Sequence, residues 1–590
     1  MRMIFVNLPV KSVAASRAFF GALGYGFNEQ FSNEETACMV VDENIFVMLL
    51  EHQRFRDFIT GEISDATKAT EVLTCLSADS RAEQPALTSG RTTLGYAELA
   101  RRIRSTASGL RAEGLQPGDR VLFSVRPGPQ AVILALGIVL AGGVVVFADP
   151  GAGEALFRSR ARLAAPRWVA AESLLYLASS APLRRFARRR GLELAPYARL
   201  VPQARHLRAG GWLPGTPRRA VPVSRLAGHR HEPDGRPVSV DLDDEALIVF
   251  TSGTTSTPRG VVHSRGSLGA GLTDFADGVG MRPGQRVLTD QLMVGVPALI
   301  AGAHWTIPPP GANAGARPEH YLRLLRDTEL IFVVPAVMDS MLRALDDSAR
   351  LRPAGLETIV MGGAPVLGPL LERVHARFPD AAIRAVYGMT EILPVAIADG
   401  VAKLRAGTDP AGGDRLGRLV PSVTARIDDG ELVLSGPGLA RGYLADLPEN
   451  PLGELHTGDL ARIDGDQLVS LGRKKDMFIR GRQNIYPGLY EPLVAGLAGV
   501  AEAALIGLPD EIGDDRIVLV VVPEHAAGVG LATDHRLARE VTRRLPGLLD
   551  AGALPDLVLT IDELPRSGRG RKLDREALAG QVAAYLRDPR

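Results

Sequence analysis

The hydrophobic pattern changes period several times along this chain, and each change marks an element. Met3-Ile-Phe-Val-Asn-Leu-Pro-Val reads as a strand, residues 12–23 as a helix ending at Gly24, and residues 36–41 and 44–50 as two further strands. The predicted order over the first eighty residues is βαββ. A new pattern begins near Ala82, where Gln84-Pro-Ala-Leu and Thr92-Thr-Leu-Gly-Tyr-Ala-Glu-Leu precede a helix reaching about Gly114. Residues 119–125 then read as a strand, followed by a helix through Gly137 and a strand over 143–148. That alternation predicts a doubly wound α/β core. Residues 182–240 are rich in Arg, Pro and Gly with weak periodicity, which predicts a long surface excursion and no domain. Towards the other end, residues 462–471 read as a hairpin, 503–506 and 516–522 as strands and 533–545 as a helix, making a small α+β unit.

One change of pattern carries chemistry. The apolar run ending Val249-Phe250 opens directly into Thr251-Ser-Gly-Thr-Thr-Ser-Thr-Pro-Arg-Gly260. Backbone N–H groups near Gly253 and Gly260, hydroxyls of Ser252, Thr254, Thr255 and Ser256, and the charge of Arg259 suit an anion. No lysine follows at the spacing of the Gly-x4-Gly-Lys-Ser/Thr phosphate loop, so a kinase or NTPase reading is weak.

Composition narrows the field. A chain of 590 residues is too long for one core. Its 68 basic and 67 acidic residues argue against a nucleic-acid or membrane-surface binder and for small-molecule partners. Two cysteines, Cys38 and Cys75, supply no disulfide framework, which fits a reducing cytoplasm. The start lacks a signal-peptide pattern, and the apolar run 131–148 is broken by Gly137, Gly142 and Gly143, so stable membrane insertion is not expected. Lysine occurs only at positions 11, 68, 403, 474, 475 and 572, so each survivor is a candidate for a place where arginine serves badly.

The first eighty residues resemble the first module of the glyoxalase/bleomycin-resistance (vicinal-oxygen-chelate) family, and Asp65-Ala-Thr-Lys looks like the start of a second module that then stops. Metal-holding members use His, Gln or Glu on strands facing the cup, where this chain offers Asn7. The segment therefore reads as a truncated accessory piece or a homodimerisation module.

Five further motifs line up in one order: the loop at 251–260, Gly362-Gly363-Ala364-Pro365, Tyr387-Gly388-Met-Thr390-Glu391, Thr457-Gly-Asp459 followed by Gly472-Arg473, and Ser567-Gly-Arg-Gly-Arg-Lys572. Together they resemble the adenylate-forming superfamily of acyl-CoA synthetases, peptide-synthetase adenylation domains and luciferases, over about residues 82–580. The resemblance implies a partial glyoxalase-like module at 1–80, a large α/β adenylation domain at 81–474 and a small mobile α+β lid at 475–590. It implies ATP and Mg²⁺, with CoA as an open acceptor. Thr251, Ser252, Gly253, Thr254, Thr255 and Arg259 would hold the β- and γ-phosphates, and Gly363, Ala364 and Pro365 belong to the nucleotide site. Glu391 would bind Mg²⁺ and Thr390 the α-phosphate; Tyr387 would stack on adenine, with Gly388 allowing close backbone approach. Asp459 would accept both ribose hydroxyls and Arg473 would add a second ribose contact. Lys572 matches the mobile lysine that bridges carboxylate and α-phosphate, although a strict spacing would select Arg571. Lys475 matches the hinge. Ser256 replaces the usual loop glycine and Arg259 the usual lysine.

The acid pocket is expected from residues 291–302, 334–337 and 388–394, which are small or apolar apart from Gln291; Asp290 is the one nearby acid besides Glu391. An aliphatic or hydroxylated fatty acid is favoured over an amino acid. A closer resemblance, carried by Tyr387-Gly-Met-Thr-Glu-Ile-Leu-Pro-Val, Gly363-Ala-Pro-Val, Asp149-Pro-Gly and the long excursion, is to the olefin-pathway β-lactone synthetases. It implies adenylation of a 3-hydroxy fatty acid whose own hydroxyl displaces AMP. A fatty acyl-CoA synthetase is the alternative. A non-catalytic nucleotide sensor would be expected to show damage at Glu391, Asp459 or Lys572, and all three are in place.

Overall fold

The computed structural model describes residues 4–22, 24–42, 45–58, 63, 84–148, 150, 154–189, 194–226, 241–250, 259–309, 312, 314, 317–346, 355–407, 412–480, 483–509, 515–524, 531–532, 536–549, 553–567 and 572–587. Contacts divide the chain into two compact units, Met1–Ser80 and Arg81–Arg590.

The first unit is a four-stranded sheet in the order Ile4–Val10, Ile45–Glu51, Thr36–Asp42, Gly26–Asn28. The last of these corrects the βαββ expectation to βαβββ. Three residues are too few to show an alternating pattern, and the strand is recognisable only through its pairing with Met39 and its neighbours. Alternation in the longer strands sends Val6, Leu8, Val47 and Leu49 to the face covered by the helix Val13–Ala22. Asn7 belongs to a cavity of about 290 Å³ whose other lining residues include Phe31, Met48, Leu50 and Phe58. The expected start of a second module at Asp65 lies outside the described residues.

The second unit opens with an eight-stranded sheet. Its parallel centre runs Arg205–Ala209, Trp168–Glu172, Arg120–Ser124, Val144–Phe147, Glu245–Phe250, and an antiparallel strand Gly260–Ser264 follows. Val144, Val145 and Val146 are all buried, as expected of a parallel strand covered on both faces. The helix Pro129–Ala141 stops at Gly142, whose φ of 100° is open to glycine and which closes the helix with the left-handed residue a tight return requires.

The excursion at 182–240 is a second correction. Arg205-His-Leu-Arg-Ala209 is a parallel strand of this sheet, and Val221–Pro222 pairs beyond it at the edge. Arg205, His206 and Arg208 disguise the strand because only Leu207 and Ala209 turn fully inward.

A thirteen-stranded sheet follows. Six strands, among them Thr358–Gly362 and Ala382–Met389, are parallel. At the hairpin from Ala382–Met389 to Ile392–Asp399 the sheet turns antiparallel and continues through Asp414–Leu419, Gln467–Arg473 and Leu455–Asp464. Beyond the 3-10 turn Lys474–Asp476 the chain builds a separate three-stranded sheet from Val500–Pro509, Asp515–Pro523 and Leu557–Thr560. Two apolar clusters, centred on Leu505, Leu519 and Val541 and on Ala504, Val520 and Leu578, cover its two faces.

Candidate active site

Ligands of open α/β sheets lie outside the carboxyl ends of the strands, where the strand order switches. Three of the predicted motifs occupy such ends. The strand Glu245–Phe250 delivers the loop at 251–259, and pairing of Phe250 with Gly260 pins both ends of that loop. Thr251, Ser252, Gly253, Thr254, Thr255 and Ser256 themselves lie outside the described residues. Gly363 follows the strand Thr358–Gly362 with a φ of 80°, and Ala364 and Pro365 continue the turn. Tyr387 to Glu391 form the hairpin at the parallel-to-antiparallel switch. A Cβ on Gly388 would lie 2.5 Å from Leu393 Cδ1 and 3.2 Å from the Ile392 carbonyl, so the hairpin folds back too tightly for a side chain.

The antiparallel part brings Asp459 and Arg473 to this hairpin, since the two residues pair directly across neighbouring strands. Tyr387 donates its hydroxyl to Asp459 Oδ2 at 2.6 Å. Burial, and then the Asp459 charge, raises the Tyr387 pKa well above its ordinary value, so the hydroxyl stays a donor. Arg473 Nε lies 2.9 Å from Asp459 Oδ1. That contact is an ion pair without hydrogen-bond alignment: Oδ1 is buried and accepts no hydrogen bond. A buried carboxylate oxygen facing a site with unused acceptor capacity suits a ligand hydroxyl. The aspartate is itself fixed from behind, because Thr457 Oγ1 accepts from its backbone N–H and donates to the Leu432 carbonyl.

Two residues that the sequence reading missed hold the Thr390-Glu391 turn. Tyr443 donates to Glu391 Oε1 at 3.0 Å, while the Arg259 guanidinium sits 5.3 Å from the centre of the Tyr443 ring. Burial and Glu391 push the Tyr443 pKa up to about 12. His263 Nε2 donates to the Thr390 carbonyl at 2.7 Å, which places the ring proton on that nitrogen. Burial lowers the His263 pKa, and the Thr390 carbonyl and Glu391 oppose it. The sequence held a faint signal for His263, the one titratable residue in the buried strand Gly260–Ser264; Tyr443 follows a glycine on a two-residue strand and gave none.

Lys572 lies on a two-residue strand paired with Ser567, not within a loop as its glycine-rich surroundings suggested. Lys572 is exposed as a residue, yet the protein around its side chain lowers its pKa. Burial is the largest cause, then the Arg473 charge, while Asp459 and Glu391 pull the other way. Lys572 is thus within electrostatic reach of both motif carboxylates. Arg571 lies outside the described residues. Lys475 is exposed in the turn Lys474–Asp476, and its charge also reaches Lys572. Asp290 has its pKa raised by burial.

Known proteins resemble this chain along most of its length. Residues 76–444 match the AMP-binding enzyme family, residues 490–571 the AMP-binding enzyme C-terminal domain, and residues 2–42 the bleomycin resistance protein-like N-terminal family. A feruloyl-CoA synthase of Amycolatopsis sp. is 30% identical over 526 residues, spanning 82% of this chain and 94% of its own. A fatty acid–[acyl-carrier-protein] ligase of Streptomyces coeruleorubidus is 27% identical over 530 residues, spanning 83% and 92%. ATP-bound MatB from Rhodopseudomonas palustris shares the fold, with a TM-score of 0.67 at 23% identity, covering 86% of this chain and 97% of its own. Among the described residues no helix is long and apolar enough to cross a membrane. The chain belongs to the AMP-binding family of adenylate-forming acid ligases and carries a glyoxalase-like segment at its N-terminus.

Proposed function

We propose that this ligase activates an apolar carboxylic acid of the fatty-acid class as its acyl-adenylate and passes the acyl group to a thiol such as that of CoA. The observation that carries adenylation is the buried Oδ1 of Asp459 with its unused acceptor capacity, set beside Tyr387 and Arg473 and within electrostatic reach of Lys572. Asp459 would accept the ribose hydroxyls, Arg473 would add a contact to the sugar, and Tyr387 would flank the adenine beside Gly363, Ala364 and Pro365.

A carboxylate oxygen attacks the α-phosphorus, and the bond to pyrophosphate breaks. Lys572 would bridge the incoming carboxylate and the α-phosphate, neutralising charge where it gathers. Thr390 would donate to the α-phosphate, and Arg259 with residues 251–256 would hold the departing pyrophosphate. Glu391 suits Mg²⁺: it is a single carboxylate, and this cation takes one or two carboxylates and fills its shell with phosphate oxygens and water. When bound, the metal neutralises charge on the leaving pyrophosphate. Lys475 would serve as the hinge about which the segment carrying Lys572 swings.

The apolar character of the helix Leu292–Ile300 supports an apolar acid. The relatives' names, a feruloyl-CoA synthase and a fatty acid–[acyl-carrier-protein] ligase among them, support a thiol acceptor. Closure of a 3-hydroxy acid to a β-lactone is the finer alternative and rests on motif resemblance. The test is pyrophosphate and AMP release with ATP, Mg²⁺ and a panel of fatty, 3-hydroxy fatty, aryl and amino acids, with and without CoA. Acid-dependent pyrophosphate release with a CoA-dependent thioester is expected. Lactone formation without CoA selects the alternative, and no acid-dependent pyrophosphate from any member overturns both.

A further inference from the structure

The chain is almost neutral, but its charge is unevenly placed. Between Ser173 and Ala220 it carries ten arginines, no lysine and a single acidic residue, Glu193. The same stretch concentrates exposed apolar side chains. Leu174, Leu183, Phe186 and Trp212 are 53, 40, 54 and 54% exposed, and they account for half of the large hydrophobics exposed in the second unit's described residues.

The helix Ala181–Arg189 has the sequence Ala-Pro-Leu-Arg-Arg-Phe-Ala-Arg-Arg. At 3.6 residues per turn, Leu183 and Phe186 share one face, while Arg185 and Arg189 lie exposed off that face and Arg184 pairs with Glu154. An amphipathic helix ordinarily turns its apolar stripe to the core, whereas here Leu183 and Phe186 face water. The neighbouring helix Ser173–Ala178 adds Leu174. The loop bearing Trp212 lies along that helix: a Cβ on Gly215 would meet the Tyr176 carbonyl at 2.8 Å and Ser180 at 2.9 Å, and one on Gly210 would lie 3.9 Å from Ser173 Oγ.

We propose that this surface docks the enzyme on an anionic lipid bilayer, with the helix Ala181–Arg189 lying in the headgroup plane. Leu, Phe and Trp enter the boundary between headgroups and acyl chains, and arginines beside them meet lipid phosphates. Charge complementarity selects an anionic partner. Exposed Leu and Phe between the arginines select lipid over nucleic acid, whose phosphates reward the arginines alone. The proposal stands independently of the acid the enzyme activates.

The test is co-sedimentation of the full chain with large vesicles of phosphatidylcholine alone and of phosphatidylcholine mixed with phosphatidylglycerol, at low and high salt. Two double variants accompany the wild type: Arg185→Glu with Arg189→Glu, and Leu183→Ser with Phe186→Ser. None of these residues belongs to the adenylation site, so pyrophosphate release with a water-soluble acid serves as the control for intact folding. Binding to the mixed vesicles only, weakened by salt and reduced about tenfold or more in each double variant, is expected. Absence of wild-type binding to mixed vesicles overturns the proposal. So does binding that the Leu183/Phe186 variant retains in full, which would mark a polyanion site for nucleic acid or an acidic protein.

Discussion

The hydroxyl of Tyr443 donates to Glu391 Oε1 at 3.0 Å, joining residues 52 positions apart in the chain. The segment around Tyr443 is tied both to the end of the loop proposed to hold phosphate and to Glu391. Leu444 N–H donates to the Gly260 carbonyl at the exit of the loop, and Ala440 N–H donates to the Glu391 carbonyl. Tyr443 therefore sets the distance between the loop cation Arg259 and the carboxylate assigned to Mg²⁺. Hydrogen bonds to a charged group contribute roughly 1.5–3 kcal/mol. Tyr443→Phe keeps the ring beneath Arg259 and removes the hydroxyl, which donates to Glu391 and accepts from Arg259. The Mg²⁺ concentration for half-maximal pyrophosphate release is expected to rise about tenfold with little change in stability. An unchanged Mg²⁺ requirement in Tyr443→Phe, with a raised one in Glu391→Gln, would remove Tyr443 from the role and leave Glu391 in place.

Asp459 meets three demands at once, receiving Tyr387 through Oδ2, pairing with Arg473 through Oδ1 and keeping acceptor capacity for a ligand. Asp459→Asn preserves shape but removes the charge opposite Arg473 and Lys572 and replaces one acceptor with a donor. The expected result is a fall of about ten- to a hundredfold in kcat/KM for ATP, since a hydrogen bond to a charged group contributes about 1.5–3 kcal/mol. Steady-state adenylation across ATP concentrations measures it. A loss confined to the carboxylic acid's KM would count against a ribose contact.

Tyr387, Asp459 and Arg473 were readable because each stands in a short local motif, and local motifs survive without knowledge of the fold. What the sequence could not supply was their meeting. Tyr387 and Asp459 are 72 residues apart, and only the antiparallel continuation of the sheet brings them within 2.6 Å. Tyr443 was invisible for the converse reason: its strand, Gly442–Tyr443, has two residues, and two residues have no period. The strand Arg205–Ala209 failed differently. Its position beside Trp168–Glu172 comes from parallel pairing, while four of its five side chains read as polar or small. The alternation of strand and helix at 119–148 was legible because continuous apolar runs bounded by glycine have few other uses in a chain of this size.

Lys572 gives a pH signature. Its pKa is lowered from the ordinary lysine value by burial and by Arg473. The bridging role proposed for Lys572 needs the ammonium, so adenylation should fall with rising pH along a limb that begins below the range of an exposed lysine. Between the lowered value and 10.5 the unfolded chain binds more protons than the folded one, so this residue makes stability rise with pH while activity falls. Lys572→Ala should abolish adenylation with ATP binding largely kept, and Lys572→Arg should displace the alkaline limb upward while losing about a hundredfold in rate, because a planar guanidinium cannot occupy an ammonium's place. Wild-type activity in Lys572→Ala would transfer the role to Arg571.

His206 controls acid stability away from the site. Its Nδ1 lies 3.0 Å from the Tyr176 hydroxyl, which remains protonated and donates to a neutral ring. Burial lowers the His206 pKa to about 4. A histidine depressed in the fold contributes stability that is fully present above its unfolded value and lost as pH falls through the window from 6.5 to about 4. The loss between pH 7 and pH 5 amounts to about 2 kcal/mol. His206→Gln retains an acceptor for Tyr176 without a titrating group. The variant is expected to be less stable than the wild type at pH 7 and to lose less on acidification, so that the two thermal unfolding temperatures converge at pH 5. Parallel shifts of both proteins between these pH values would show that His206 does not titrate in this window.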